Sequence, residues 1–186
     1  MTYQMLIVLG LIILVAIGVA TWAYLQKRRS GELRQHFGPE YDRTVQQYGE
    51  RGTGEKALEE REKRIESLSV HPLSGVERVR FSDEWRSIQA RFVDDPAGAA
   101  DQADGIIGAV MEERGYPVTD FEQRAADVSV EHPDVVTNYR AAHAIALRAK
   151  NGEATTDELR AALIHYRALF QELLDSAPTQ PTEVRR

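Results

Sequence analysis

The chain has 186 residues, a formal net charge of −6 and no cysteine, which excludes disulfide staples, thiolate nucleophiles and cysteine-ligated zinc. Charge is unevenly spread: residues 26–91 carry 14 basic and 12 acidic side chains, whereas residues 92–175 carry 7 and 16. The acidic distal part repels nucleic-acid backbones, so no nucleic-acid partner is expected, and a basic or neutral partner suits it better.

The first element is an unbroken apolar run from Met5 to Leu25, with no charged side chain in it. At about 1.5 Å per residue a helix of that length reaches roughly 30 Å, the hydrocarbon core of a bilayer. A buried core helix would show a polar face, and this run has none. A cleaved signal peptide would need a basic start, a shorter apolar core and a small-residue cut site, but Val19-Ala20-Thr21 runs into bulky Trp22. The expectation is a short N-terminus (1–4) and a retained transmembrane anchor (5–25). Lys27, Arg28, Arg29 and Arg34 follow the run. Basic residues hold the cytoplasmic side, at about 1 kcal/mol each beside anionic headgroups, so the N-terminus faces outward and the large C-terminal part faces the cytoplasm. Tyr3 at one end, and Trp22 with Tyr24 at the other, fit the headgroup zones. Gly10 and Gly18 form no GxxxG pair, so the run carries no dimerisation signal.

Residues 26–73 read as a basic juxtamembrane segment and a charged helical connector. Gly38-Pro39 punctuates it, and Tyr41, Val45 and Tyr48 form a narrow helical stripe that Gly49, Gly52 and Gly54 are expected to break. The segment 53–68 is dense in charge. Glu59–Lys63 and Glu60–Arg64 are acid-before-base pairs at helical spacing, each worth about 0.2–0.5 kcal/mol. Leu58, Ile65 and Leu68 leave one thin apolar seam, as on a solvated spacer helix or a partner-binding one. His71-Pro72 marks its end.

Residues 74–175 read as an all-α bundle of about five helices, enough for one modest core. Ser74 with Glu77 is a capping box opening a helix over about 75–94, where Phe81, Trp85, Ile88 and Phe92 form the strongest stripe. After Asp94-Asp95-Pro96 a helix follows over 97–114, with Ala99, Ala103, Ile106, Ile107, Val110 and Met111 inward. Gly98, Gly105 and Gly108 in it cost roughly 1 kcal/mol each, tolerable where another helix packs close. Gly115 stops it and Tyr116-Pro117 turns the corner. Thr119 with Glu122 reads as a second capping box, over a short helix with Phe121, Ala125 and Val128. His132-Pro133 restarts the chain into a helix lined by Val135, Tyr139, Ala142 and Ala146 and closed by Asn151-Gly152. Thr155 with Glu158 opens the last helix, whose stripe is Leu159, Ala162, Leu163, Tyr166, Leu169, Phe170 and Leu173. Residues 176–186 lack core residues and read as a disordered tail.

Chemical motifs are sparse. The sequence has no GxxxxGK[ST], no GxGxxG after a strand, no GxSxG and no HExxH, so no catalytic residue, cofactor, metal ligand or small-molecule ligand is inferred. His143 and His165 lie on helices that should run antiparallel, with His143 near Ala162, His165 near Arg140, and the imidazoles about 5 Å or more apart along the axis. Neither has a carboxylate at i,i+4 spacing, so hydrogen-bonded bundle histidines are the expectation. The loop residues Arg91, Asp94, Asp95, Tyr116, Asp120 and Arg124 form a candidate recognition surface, as loops on rigid bundles often do. Their carboxylates, with Glu122, suit helix capping better, since Asp and Glu are favoured in first turns.

The strings HFGPEYDRTVQQYG (36–49), RFVDDP (91–96) and RGYPVTDFEQRAADVSVEHPDVVTNYRAAHAIA (114–146) resemble a family of bacterial proteins of unknown role. Its members have an N-terminal apolar segment and a helical C-terminal domain. The resemblance spans most of residues 32–175 and implies a bacterial, membrane-associated or exported helical protein. It supplies no activity, cofactor or functional residue.

The expected function is a non-enzymatic interaction or scaffold module, tethered to the cytoplasmic face of the bacterial inner membrane, with the lipid bilayer and a protein as partners. The alternatives are a bundle enzyme or metal-binding protein using His143, His165 and the Asp94-Asp95 carboxylates, and a helical domain exported to the outer face.

Overall fold

The computed structural model describes residues 2–117 and 119–175, and every regular element among them is an α-helix. The chain divides into two compact units, residues 1–36 and 37–186. The expected tail, 176–186, lies outside the described residues.

The first unit is one helix, α1, Thr2–Phe37, whose last residue opens the second unit. It begins inside the short N-terminus and continues beyond the apolar run through the basic cluster. Apolar side chains project on all sides of it: Leu11, Leu14, Ile17 and Trp22 are each 61–70% exposed. Thr21, a polar side chain within the run, donates its hydroxyl to the Ile17 carbonyl at 2.8 Å and is satisfied within the helix. By length and composition α1 is sufficient to cross a bilayer.

Among the described residues the second unit holds seven helices: α2 Pro39–Tyr48, α3 Arg51–Glu66, α4 Gly75–Arg91, α5 Pro96–Glu113, α6 Phe121–Glu131, α7 Pro133–Lys150 and α8 Thr156–Asp175. Residues 74–175 hold five helices, α4 to α8, and α2 and α3, expected as connector, belong to the same compact unit, so the bundle extends beyond the range expected for it. Of the three glycines expected to break the connector, only Gly49 does, adopting a left-handed conformation (φ 75°) and returning its N–H to the Val45 carbonyl. Gly52 and Gly54 lie inside α3. A Cβ on Gly54 would stand 2.8 Å from Val45 Cα, so α2 and α3 cross backbone to backbone there. The seam on α3 does face inward, with Leu58 and Ile65 buried.

The interior is built around α5, α7 and α8, with α4 on α5, α6 on α7, and the α2–α3 pair against α6 and α7. The stripes read from sequence supply it: Phe81, Trp85 and Ile88 from α4; Ile106, Ile107 and Val110 from α5; Tyr139 and Ala142 from α7; Tyr166, Leu169, Phe170 and Leu173 from α8. Trp85 stacks on Phe170 with ring centroids 4.7 Å apart. The capping boxes at Ser74–Glu77 and Thr155–Glu158 both form. The one expected at Thr119–Glu122 does not. Asp120 caps α6 by accepting the Gln123 N–H at 3.0 Å, and the Glu122 carboxylate is drawn to Arg140 instead. Gly115 ends α5 at φ 94°, where a Cβ would press to 2.7 Å from the Ser69 carbonyl.

Candidate functional site

Pro39 occupies the first turn of α2, its ring pre-setting the helical φ, and this start places Glu40 inside the fold at 1% exposure. An ionised carboxylate so deep needs partners of opposite charge. Three guanidiniums supply them: Arg61 of α3 at 3.1 Å, Arg140 of α7 at 3.0 Å and Arg43 of α2 at 3.6 Å. Arg140 turns its other amino group to Glu122 at 2.6 Å, and Arg43 approaches the same carboxylate at 3.7 Å. One turn along α3 from Arg61, Arg64 donates Nε to Asp127 at 3.0 Å. Asp127 is also fully buried and accepts the Gln123 side-chain amide at 2.7 Å. Of this network, Arg61, Arg64, Glu122, Gln123 and Arg140 line a cleft of about 440 Å³, together with Tyr48, Glu60 and Asp120.

A second polar cluster lies among α5, α6, α7 and α8. Asp104 receives Arg124 at 3.3 Å and the Tyr166 hydroxyl at 3.3 Å, and His143 Nδ1 stands 3.5 Å from it. The His143 ring lies flat on Phe121, centroids 3.5 Å apart. Gly108 leaves room for Arg124: a Cβ there would meet its guanidinium at 2.8 Å. Burial would raise the Asp104 pKa, but His143, Arg124 and Tyr166 outweigh it and hold the carboxyl below its ordinary value. Burial, then the Asp104 charge, pushes the Tyr139 and Tyr166 hydroxyls far up, so both stay protonated. The Tyr139 hydroxyl is buried without a hydrogen-bond partner among the described residues.

A third cluster joins the C-terminal ends of α5, α6 and α8. Arg114, 1% exposed, donates to the Leu173 carbonyl at 3.0 Å and lies 3.9 Å from Glu131, which also accepts a short hydrogen bond from Tyr116. His132, beside them, stands 3.7 Å from Glu172. Burial, and then the Arg114 charge, lower its pKa.

The structure does not gather the loop residues named from sequence onto one surface. Arg91 and Asp95 pair with each other at 2.8 Å, and Asp95 caps α5 through the Gly98 N–H. Asp94 is exposed beside them, and Asp120 is the α6 cap. Tyr116 is buried at 2% exposure because its ring fills the corner under α5 and its hydroxyl finds Glu131. Arg124 turns inward because Gly108 opens the path to Asp104. Nor do the two histidines meet over the loop carboxylates: His143 faces Asp104, and His165 makes no hydrogen bond or ion pair among the described residues. Among those residues no cluster of three histidines or carboxylates is arranged to hold a metal ion. On α1, Arg28 pairs with Glu32 at 2.9 Å, Lys27 is exposed, and Tyr3, Trp22 and Tyr24 are each at least 65% exposed. Arg29 and Arg34 lie on the same helix.

The sequence reading missed Glu40, Arg61, Arg140 and Asp104. The one local sign was the placement of Glu40 directly after Pro39, at the inward start of a stripe. No protein-family model, no curated protein and no solved structure matches this chain.

Proposed function

We propose that the protein is a membrane-tethered helical interaction module, held by α1 at the cytoplasmic face of a bacterial inner membrane, with the seven-helix unit presented to a protein partner. The observation that carries the reading is α1 itself. A helix with apolar side chains exposed all round has no aqueous solution to its surface, and a bilayer supplies one. The basic residues directly after the apolar run favour the cytoplasmic side. Tethering confines the second unit near the membrane and raises its effective concentration toward partners there, into the millimolar range for short linkers.

Two measurements test it. Leu14→Arg places a charge at the middle of the run, on a side chain 70% exposed. A central arginine costs about 3 kcal/mol of insertion free energy, so the variant should move substantially from the membrane to the soluble fraction while the wild type stays. A C-terminal alkaline phosphatase fusion should be inactive; an active fusion overturns the orientation. In-cell cross-linking of the full chain should then recover a membrane-associated protein, and recovery of none above the Leu14→Arg background removes the interaction reading.

A further inference from the structure

The cleft over α3 and α7 goes beyond the tethering reading and does not rest on it, since its lining runs only from residue 47 to 140. Charge is the first consideration. The buried Glu40 carboxylate faces Arg43, Arg61 and Arg140, and Glu122 also approaches Arg43 and Arg140. In the lining and directly beneath it, Arg43, Arg61, Arg64 and Arg140 face Glu40, Glu60, Asp120, Glu122 and Asp127, so the cleft carries no net positive charge, and capture of an anion falls to the individual guanidinium N–H groups left open on it.

Geometry is the second. A surface arginine loses rotamer freedom when it captures an anion, whereas these are fixed beforehand. Arg61 is held by Nη1 on Glu40 and Arg64 by Nε on Asp127, two carboxylates 1% exposed. The other N–H groups of Arg61 and Arg64 have no partner among the described residues, and both side chains line the cleft from successive turns of α3. The first turn of α6 lines it too, through Asp120, Glu122 and Gln123, and that end of a helix favours negative charge.

Glu122 is the third. Its side chain is 64% exposed, yet its carboxylate rests on Arg140 at 2.6 Å. The chain itself therefore displays an oxyanion seated at this guanidinium, on a side chain that an incoming ligand can displace. Glu60 and Asp120 at the rim oppose a highly charged ligand, although Asp120 is engaged as the α6 cap. The volume is that of a small-molecule site, commonly about 300–1,000 Å³.

The geometry points to an oxyanion-binding site: a small molecule carrying a carboxylate or phosphate group, seated on Arg61, Arg64 and Arg140 in competition with Glu122. The full chain in detergent micelles, with ¹⁵N-labelled arginine, is titrated with succinate and separately with inorganic phosphate at constant ionic strength, following the arginine Nε–H signals. At least one probe should shift the Arg61 and Arg64 signals saturably. Glu122→Gln, an exposed position away from the core, should tighten binding about threefold or more by removing the internal competitor, and Arg64→Gln should weaken it about tenfold. A response to succinate alone assigns a carboxylate ligand, and one to phosphate alone a phosphate ligand. Absence of saturable shifts with both probes overturns the proposal, as does an affinity that Glu122→Gln fails to raise. Either failure leaves the membrane reading untouched.

Discussion

Replacing Glu40 by Gln tests whether buried charge holds the α2–α3 pair to α6 and α7. The substitution keeps the shape and one acceptor oxygen but removes the charge from a site 1% exposed. The Arg61 and Arg140 side chains, 13% and 12% exposed, are then left without their shared counter-ion. Breaking a buried pair from one side costs about 3–5 kcal/mol, and the retained acceptor and the second carboxylate on Arg140 place this case near the lower end, about 3 kcal/mol. Urea unfolding in a Trp22→Phe background isolates Trp85 as the reporter, because the chain has only those two tryptophans. At a slope of about 1.5 kcal/mol per molar urea, the midpoint should fall by about 2 M. A fall below about 0.3 M would mean that Glu40 contributes no more than a surface ion pair and that buried charge does not hold these helices together.

Phe170→Ala removes the ring stacked on Trp85 in a site 3% exposed, and should cost about 3–5 kcal/mol with a red shift of Trp85 emission in the same Trp22→Phe background. Asp120→Ala should lower the unfolding midpoint by an amount equivalent to about 1 kcal/mol, whereas Thr119→Ala should leave it within about 0.5 kcal/mol, since Asp120 makes the cap. His132 titrates below its ordinary 6.5 in the folded protein, so the unfolded chain takes up its proton first as pH falls. Its contribution is therefore complete above about pH 6.5 and lost as the pH falls toward the folded-state value. Melting scans at pH 7 and pH 5 should show a smaller loss for His132→Gln than for the wild type, and equal losses would exclude this assignment.

The parts legible in the sequence are those that obey local rules. Phe81, Trp85 and Ile88 fall on one face because a helix repeats every 3.6 residues, and Ser74–Glu77 closes its box within one turn. The α1 run is legible because composition alone decides it. Pairings across the fold are not. Glu40 and Arg140 are 100 residues apart, and no periodicity connects them. On α3 the local rule misleads: Arg64 is not held by Glu60 but reaches Asp127 on α6, while Glu60 lies 4.0 Å from Lys56. A dense charge run reads as a solvated face, and here two of its arginines are turned inward by carboxylates that packing has buried. The α6 cap moved by one residue for a related reason. Thr119 and Asp120 are both competent, and the Glu122 side chain that a box at Thr119 requires is held by Arg140.

Whether α1 is kept as a membrane anchor is decided by the mass and location of the chain in cells. After an alkaline carbonate wash, the membrane pellet should contain the intact 20.9 kDa polypeptide. A shortened chain lacking the apolar run, recovered from the soluble fraction or the medium, would contradict retention of α1.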